Sequence, residues 1–147
     1  YRAGIRAQNM FFEEAKQAKL IPEKISQDPA SFSAYTAAVN SRVKRGDYLL
    51  RAKNIEVEVK CVTIYSGHYY LQYADIKAHE NMQIASSVPV WLAIYERQGG
   101  SPAPGSLQMI SVKDILLQNN KGVNYDKDKQ CLVIPIKMTS PGFTAIE

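Results

Sequence analysis

Long hydrophobic runs, paired cysteines and glycine-rich phosphate loops are all missing from this chain of 147 residues. No apolar stretch approaches the ~20 residues that an α-helix needs to cross a bilayer, so no membrane partner is expected. The two cysteines, Cys61 and Cys131, lie in separate strand-like runs and form no C-x-x-C pair, so no zinc-ligand spacing is present. They read as reduced thiols of a cytoplasmic protein, with a disulfide between their strands as the alternative. Also absent are a G-x-S-x-G elbow, a phosphate-binding loop and a dinucleotide-binding fingerprint. The chain starts at Tyr1 without a basic segment leading into an apolar one, and reads as a trimmed domain or one domain of a longer protein. No repeat, low-complexity tract or linker divides residues 1–147, which are expected to form a single domain.

Of its residues, 46% are hydrophobic, enough for a packed core and too many for a disordered chain. The net charge of +4 is compatible with nucleic acid, and its distribution says more. Arg42, Lys44, Arg45, Arg51 and Lys53 crowd around Asp47. The plainer reading is a solvated basic loop; the sharper one is a phosphate-contacting rim.

Periodicity predicts a helix over Arg2 to Lys19, with Ile5, Phe11, Phe12, Ala15 and Ala18 as its apolar stripe. Asp28-Pro29 opens a second short helix with Phe32, Tyr35 and Val39 as contacts; a strand through Ser33–Val39 is the alternative. Tyr48–Arg51 and Ile55–Tyr65 read as an antiparallel hairpin, His68–Gln72 as a further strand, and Ala74–Ala85 as a helix carrying Ile76, His79, Met82 and Gln83. The nearly unbroken apolar run Val88–Tyr95 reads as a strand buried on both faces, with Trp91 in the core. Gly99–Gly105 reads as a flexible loop, Leu107–Val112 and Cys131–Lys137 as strands, Ser111–Asp114 as a helix start, Asn119–Gln130 as a polar connection, and the residues after Thr139 as frayed.

Within the hairpin, Ile55-Glu56-Val57-Glu58-Val59-Lys60-Cys61 places its apolar and charged residues on opposite faces. Any half-exposed strand alternates in this way, and that is the plainer reading. The other is chemical: hard divalent cations take oxygen ligands and keep several waters, and such a cation beside a phosphodiester supplies a nucleophile near neutral pH. Asp47 and Glu58 supply carboxylates, the Val59 carbonyl a third oxygen, and Lys60 a cation on the Glu58 face. Glu56 shares that face, as a second acid or as a solvated strand-end residue. His79 reads as a packing or surface histidine, and the Tyr69-Tyr70 pair beside His68 as packing rather than base stacking.

The motifs Gly46-Asp47-Tyr48 and Glu58-Val59-Lys60-Cys61, followed by the helix Asp75–Ala85 and the run Val88–Tyr95, resemble the PD-(D/E)xK nuclease superfamily over residues 2 to 97. The resemblance implies an α/β, restriction-endonuclease-like fold: a mixed central β-sheet flanked by helices. It implies a metal-dependent nuclease, a DNA endonuclease foremost, with Asp47, Glu58 and Val59 holding Mg (or Mn) and Lys60 as the catalytic lysine. Nucleic acid is the expected partner, DNA before RNA, alongside a homodimer or further domains of a longer chain. Two departures stand out. Gln8 occupies the first-helix position where many members carry an acid, with Glu13 and Glu14 as substitutes on other faces, and Gly46 replaces a proline that often precedes the aspartate. Gln83 is expected to make a structural hydrogen bond, or to touch substrate backbone or the lysine. The alternative function is a catalytically weak or inactive module that binds nucleic acid or a protein.

Overall fold

The computed structural model describes residues 2–28, 30, 33–118 and 124–147. Helix α1 (Arg2–Gln17) leads into edge strand β1 (Pro22–Lys24), helix α2 (Ser33–Val39) and the hairpin β2 (Tyr48–Leu50) and β3 (Ile55–Val62). Strand β4 (His68–Gln72) and helix α3 (Tyr73–Ser86) then carry the chain to β5 (Val90–Gln98), which pairs parallel to β3 from Glu56↔Val90 to Val62↔Glu96. Next come β6 (Ser101–Pro102), β7 (Gln108–Ser111), helix α4 (Val112–Gln118), β8 (Asn124–Asp126), β9 (Cys131–Pro135) and β10 (Ser140–Pro141). The main sheet runs β1-β2-β3-β5-β7-β10, with β6 on the far end of β5; β4, β9 and β8 form a second, small antiparallel sheet.

Two cores sandwich the main sheet. One face of β3 and β5 (Ile55, Val57, Val59, Ala93, Tyr95) packs with Ala7, Phe11 and Ala15 of α1. The opposite face of β5 (Val90, Leu92, Ile94) packs with Ile76 of α3, Ile115 of α4 and the inner residues of the small sheet. Parallel strands need a crossover connection, and β4–α3 supplies it. Glu56, Glu58 and Lys60 lie in register with Val90, Leu92 and Ile94, so α3 covers the charged face of β3. Glu56 and Glu58 are therefore only 3% and 7% exposed, and the half-exposed strand reading is excluded.

Several sequence expectations change in detail. Helix α1 ends at Gln17 and buries Ala3, Ala7, Phe11 and Ala15, an i, i+4 row; Ile5 and Ala18 face outward. The segment Ser33–Val39 is helical, with Tyr35 and Val39 half-buried, whereas Phe32, Pro29 and residues 119–123 lie outside the described residues. Strand β3 stops at Val62, and Trp91 is half-buried against the α1-side core. The chain after Thr139 is not frayed: β10 pairs with β7, and Phe143 and Ile146 pack on the core. Residues Gly99–Gly105 contain β6, anchored by Arg6, whose Nη1 donates to Gly100 O and Ser101 Oγ. Cys61 is half-buried and Cys131 buried, and both are free thiols.

Candidate active site

The hairpin brings Asp47 to Glu58. The β2–β3 register ends at Tyr48↔Val57, and one residue earlier Asp47 N–H still donates to Val57 O at 2.8 Å. Beyond that point the Val59 N–H donates to Asp47 Oδ2, also at 2.8 Å. A side chain thus replaces the missing strand neighbour, which fixes the carboxylate beside β3. On its other oxygen, Asp47 accepts a hydrogen bond from Gln8 Nε2 of α1 at 3.3 Å. The backbone at Gln8 is held in turn by the Tyr48 hydroxyl, which donates to the Gln8 main-chain carbonyl. Glu13 and Glu14 are turned elsewhere: Glu13 pairs with Lys16, and Glu14 accepts from the Tyr95 hydroxyl.

Asp47 and Glu58 lie near enough for each carboxylate to shift the pKa of the other. Burial, reinforced by the neighbouring Glu58 charge, pushes the Asp47 pKa up to about 7, against the pull of the Val59 N–H and Lys60. Burial also acts to raise Glu58, but contact and charge from His79, with Lys60 and Asp47, outweigh it and leave its pKa below the usual carboxylate value. The pair therefore divides into an ionised Glu58 and an Asp47 that gives up its proton only as pH rises through about 7. Two buried acids with pKa values pushed apart in this way are a candidate functional site.

A charged network surrounds the pair. Asp75, on the first turn of α3, lies 3.7 Å from Lys60 Nζ, 3.3 Å from Lys44 Nζ and 3.5 Å from Arg42 Nη2. Burial acts to raise the Asp75 pKa, but Lys44, Lys60 and Arg42 together hold it below its usual value. Lys44 also reaches Glu58 Oε2 at 3.9 Å. From the middle of α3, the fully buried His79 places Nε2 2.7 Å from the same oxygen. The sequence reading missed Asp75 and His79 as neighbours of the carboxylates, and it placed Lys44 beside Asp47 as part of a phosphate-contacting rim rather than as a partner of Glu58 and Asp75. A histidine and an aspartate on the helix that must cross over β3 were the available signal.

Glu56 is not a solvated strand-end residue. Its Oε1 accepts the Gly46 N–H at 2.6 Å and lies 3.8 Å from Arg45 Nε. Burial raises its pKa, with the Gly46 N–H and Arg45 opposing. Glu56 thus latches the segment that delivers Asp47. Gly46 is there because nothing larger fits: a Cβ would lie 2.7 Å from Val57 O. A proline would in addition lack the N–H that Glu56 accepts. Gly46→Ala should push the Asp47 segment off β3 and destabilise the protein by about 1–3 kcal/mol, the usual scale for overpacking a tight site. Urea denaturation checks this; a variant within ~0.5 kcal/mol of wild type, the scale of inert surface changes, would show that the contact yields freely.

The basic residues divide into two groups. Lys44 and Arg45 turn inward to the carboxylates, and Arg45 stacks over Tyr35. Arg42 and Arg51 have side chains 63% and 59% exposed and pair at the surface with Asp75 and Glu23; Lys53 is exposed. Gln83 lies apart from the carboxylates, where its Oε1 accepts the Val90 N–H at 2.9 Å and holds the start of β5. No helix among the described residues is long and apolar enough to cross a membrane.

Neither a known protein family nor any curated protein matches the sequence. Solved structures do match in shape. Hjc, a Holliday junction resolvase from the archaeal hyperthermophile Archaeoglobus fulgidus, superposes with a TM-score of 0.63 at 9% identity, covering 98% of this chain and 100% of that one. A nuclease from a fusselovirus superposes with a TM-score of 0.52 at 13% identity, covering 97% of this chain and 85% of that one. At such identities the likeness is one of fold: a mixed central sheet flanked by helices, restriction-endonuclease-like, as the PD-(D/E)xK resemblance implies.

Proposed function

We propose that this chain, with its restriction-endonuclease-like fold, is a metal-dependent nuclease that hydrolyses phosphodiester bonds, a DNA endonuclease first of all. One observation carries the reading: the β2–β3 hairpin holds the Asp47 and Glu58 carboxylates in one largely buried site, Asp47 tied to the Val59 N–H and each acid shifting the pKa of the other, with Lys60 two residues from Glu58 on the same face. A fold has no need of two acids in that position unless something positive relieves them.

The donor chemistry fits a hard cation. Two carboxylates plus a backbone carbonyl, that of Val59, form an oxygen set suited to Mg2+ or Mn2+, although no cluster of three metal-binding side chains occurs among the described residues. Glu58, moreover, is almost fully buried, and with His79 and Lys44 both against Oε2 its other oxygen, Oε1, is left for a cation. When bound, such a cation offsets charge developing on a phosphate and generates hydroxide near neutral pH. The protein supplies the rest. Asp47 is pinned by the Val59 N–H and Gln8, Glu58 is kept ionised, and Asp75 tethers Lys60 where its ammonium can orient water or stabilise phosphate oxygens.

The second reading, a nucleic-acid- or protein-binding module with weak catalysis, draws on Gln8, an amide at the position where the resemblance implies an acid. A cleavage assay on plasmid, linear duplex, single-stranded and four-way-junction DNA with Mg2+, Mn2+ or chelator separates the two. Cation-dependent cutting of any of these supports the nuclease; tight binding with no cutting supports the module.

DNA affinity should fall with salt. Arg42, Arg51 and Lys53 are the exposed members of the basic cluster, and the surface pairs of the two arginines are cheaply exchanged for phosphate. Replacing all three by alanine should lower the slope of log K against log salt by about 3, from ~0.9 per phosphate contact. Fluorescence anisotropy across a salt series measures it. An unchanged slope would remove this rim from the DNA interface.

A further inference from the structure

The inward side of α3 is apolar at Ile76, Ala78 and Met82, with one exception, His79, which is 0% exposed. A leucine would fill that place if packing were the only requirement, since a buried polar group without partners is costly. Nor is His79 satisfied by its surroundings. Among the described residues Nδ1 has no hydrogen-bond partner, and Nε2, although 2.7 Å from Glu58 Oε2, makes no directed hydrogen bond to it. Glu58 Oε2 is likewise left without a directed bond, with Lys44 Nζ at 3.9 Å on the same oxygen. Two unsatisfied buried groups in contact form a hydrogen bond on a small rotation of either. The contact engages Oε2 alone and leaves Oε1 as the oxygen a cation can take. Residues that orient a ligating carboxylate in this manner tune metal affinity without touching the ion.

We propose that His79 is a positioning residue for the cation site: from α3 it fixes Oε2 of Glu58, so that the carboxylate presents its other oxygen beside Asp47. This rests on the metal-site reading above and extends it to a residue on a different element. The role is geometric. It needs an N–H donor at the Nε2 position, not an aromatic ring, and that separates it from packing.

The test is direct Mn2+ binding to the DNA-free protein, followed by the electron paramagnetic resonance of the free ion, for wild type, His79→Met, His79→Leu and His79→Gln. Circular dichroism and melting curves establish which variants are folded. The two donor-free variants differ in shape, so one folded variant suffices. The expected result is a 10–100-fold rise in the Mn2+ dissociation constant for the donor-free variants, with most of the loss recovered in His79→Gln, whose amide N–H can reach the same oxygen. Cleavage should mirror this as a raised half-saturating Mg2+ concentration, with the rate largely restored at saturating Mg2+. A folded donor-free variant that binds Mn2+ as tightly as wild type overturns the proposal and leaves the metal-site reading standing. A glutamine variant no better than methionine overturns it too, by showing that the ring only fills space. If wild type itself takes up no Mn2+ at millimolar concentration, the metal-site reading fails and this inference with it.

Discussion

Asp47→Asn should make the cation-free protein more stable while abolishing its cleavage. The substitution removes a carboxylate whose pKa is pushed to about 7 by burial and by Glu58, so at neutral pH and above it relieves a charge that the fold holds unwillingly. Asparagine retains an oxygen for the Val59 N–H, and Gln8 can turn its amide to accept from the new one. The gain should be about 1–2 kcal/mol, or roughly 3–6 °C in melting temperature for a domain of this size, the familiar opposition between site chemistry and stability. The pH dependence has a definite sign. A carboxylate whose folded pKa is raised contributes stability below its unfolded pKa of ~3.9, and that stability is lost as pH rises through about 7. Glu58 and Asp75, whose values are lowered, act in the opposite direction, so the informative quantity is the difference between mutant and wild type. With chelator present, that difference should be larger at pH 8 than at pH 5. Melting curves at the two pH values measure it. A destabilised mutant, or a gap that shrinks with pH, would mean that Asp47 is comfortably ionised and no strained site exists.

Lys60→Ala should reduce Mg2+-dependent cleavage by about 10³-fold or more, the scale of losing a group that stabilises charge in the transition state. The fold should survive. Lys60 is half-buried, and its partner Asp75 retains Lys44 and Arg42. The corresponding Glu58→Ala should be as inactive, but at a structural cost: it leaves His79 buried beside an empty volume, about 1–3 kcal/mol for a stranded polar group. Lysine removal is therefore the cleaner probe of chemistry and glutamate removal the harsher one. Single-turnover cleavage and thermal melts on both variants check this. Cutting at the wild-type rate by Lys60→Ala would dismiss the lysine from the reaction.

The elements that build the site were readable because their signals are local. The Asp47–Glu58 hairpin, the apolar β5 run and the α3 segment each show their own periodicity or punctuation, and their order fits the restriction-endonuclease-like fold. Strands β1, β8 and β10, of two or three residues, are too short to show a period, and they form only because the sheet offers them an edge. Partners distant in sequence were equally hidden. The Gly46–Glu56 latch, the inward turn of Lys44 and Arg45, and the His79–Glu58 contact follow from where α3 lies. A reader who had asked which face of β3 the crossover helix must cover would have found the two glutamates buried. Charge clustering alone suggested a uniform basic rim, whereas burial divides it into inward-facing and exposed residues.

The most direct measurement is the anomalous scattering of a crystal of this protein soaked in Mn2+. The account predicts one strong peak bridging Asp47 and Glu58 carboxylate oxygens, within reach of the Val59 carbonyl and with Lys60 alongside, lost in Asp47→Asn crystals. Empty density there at millimolar Mn2+ would contradict it.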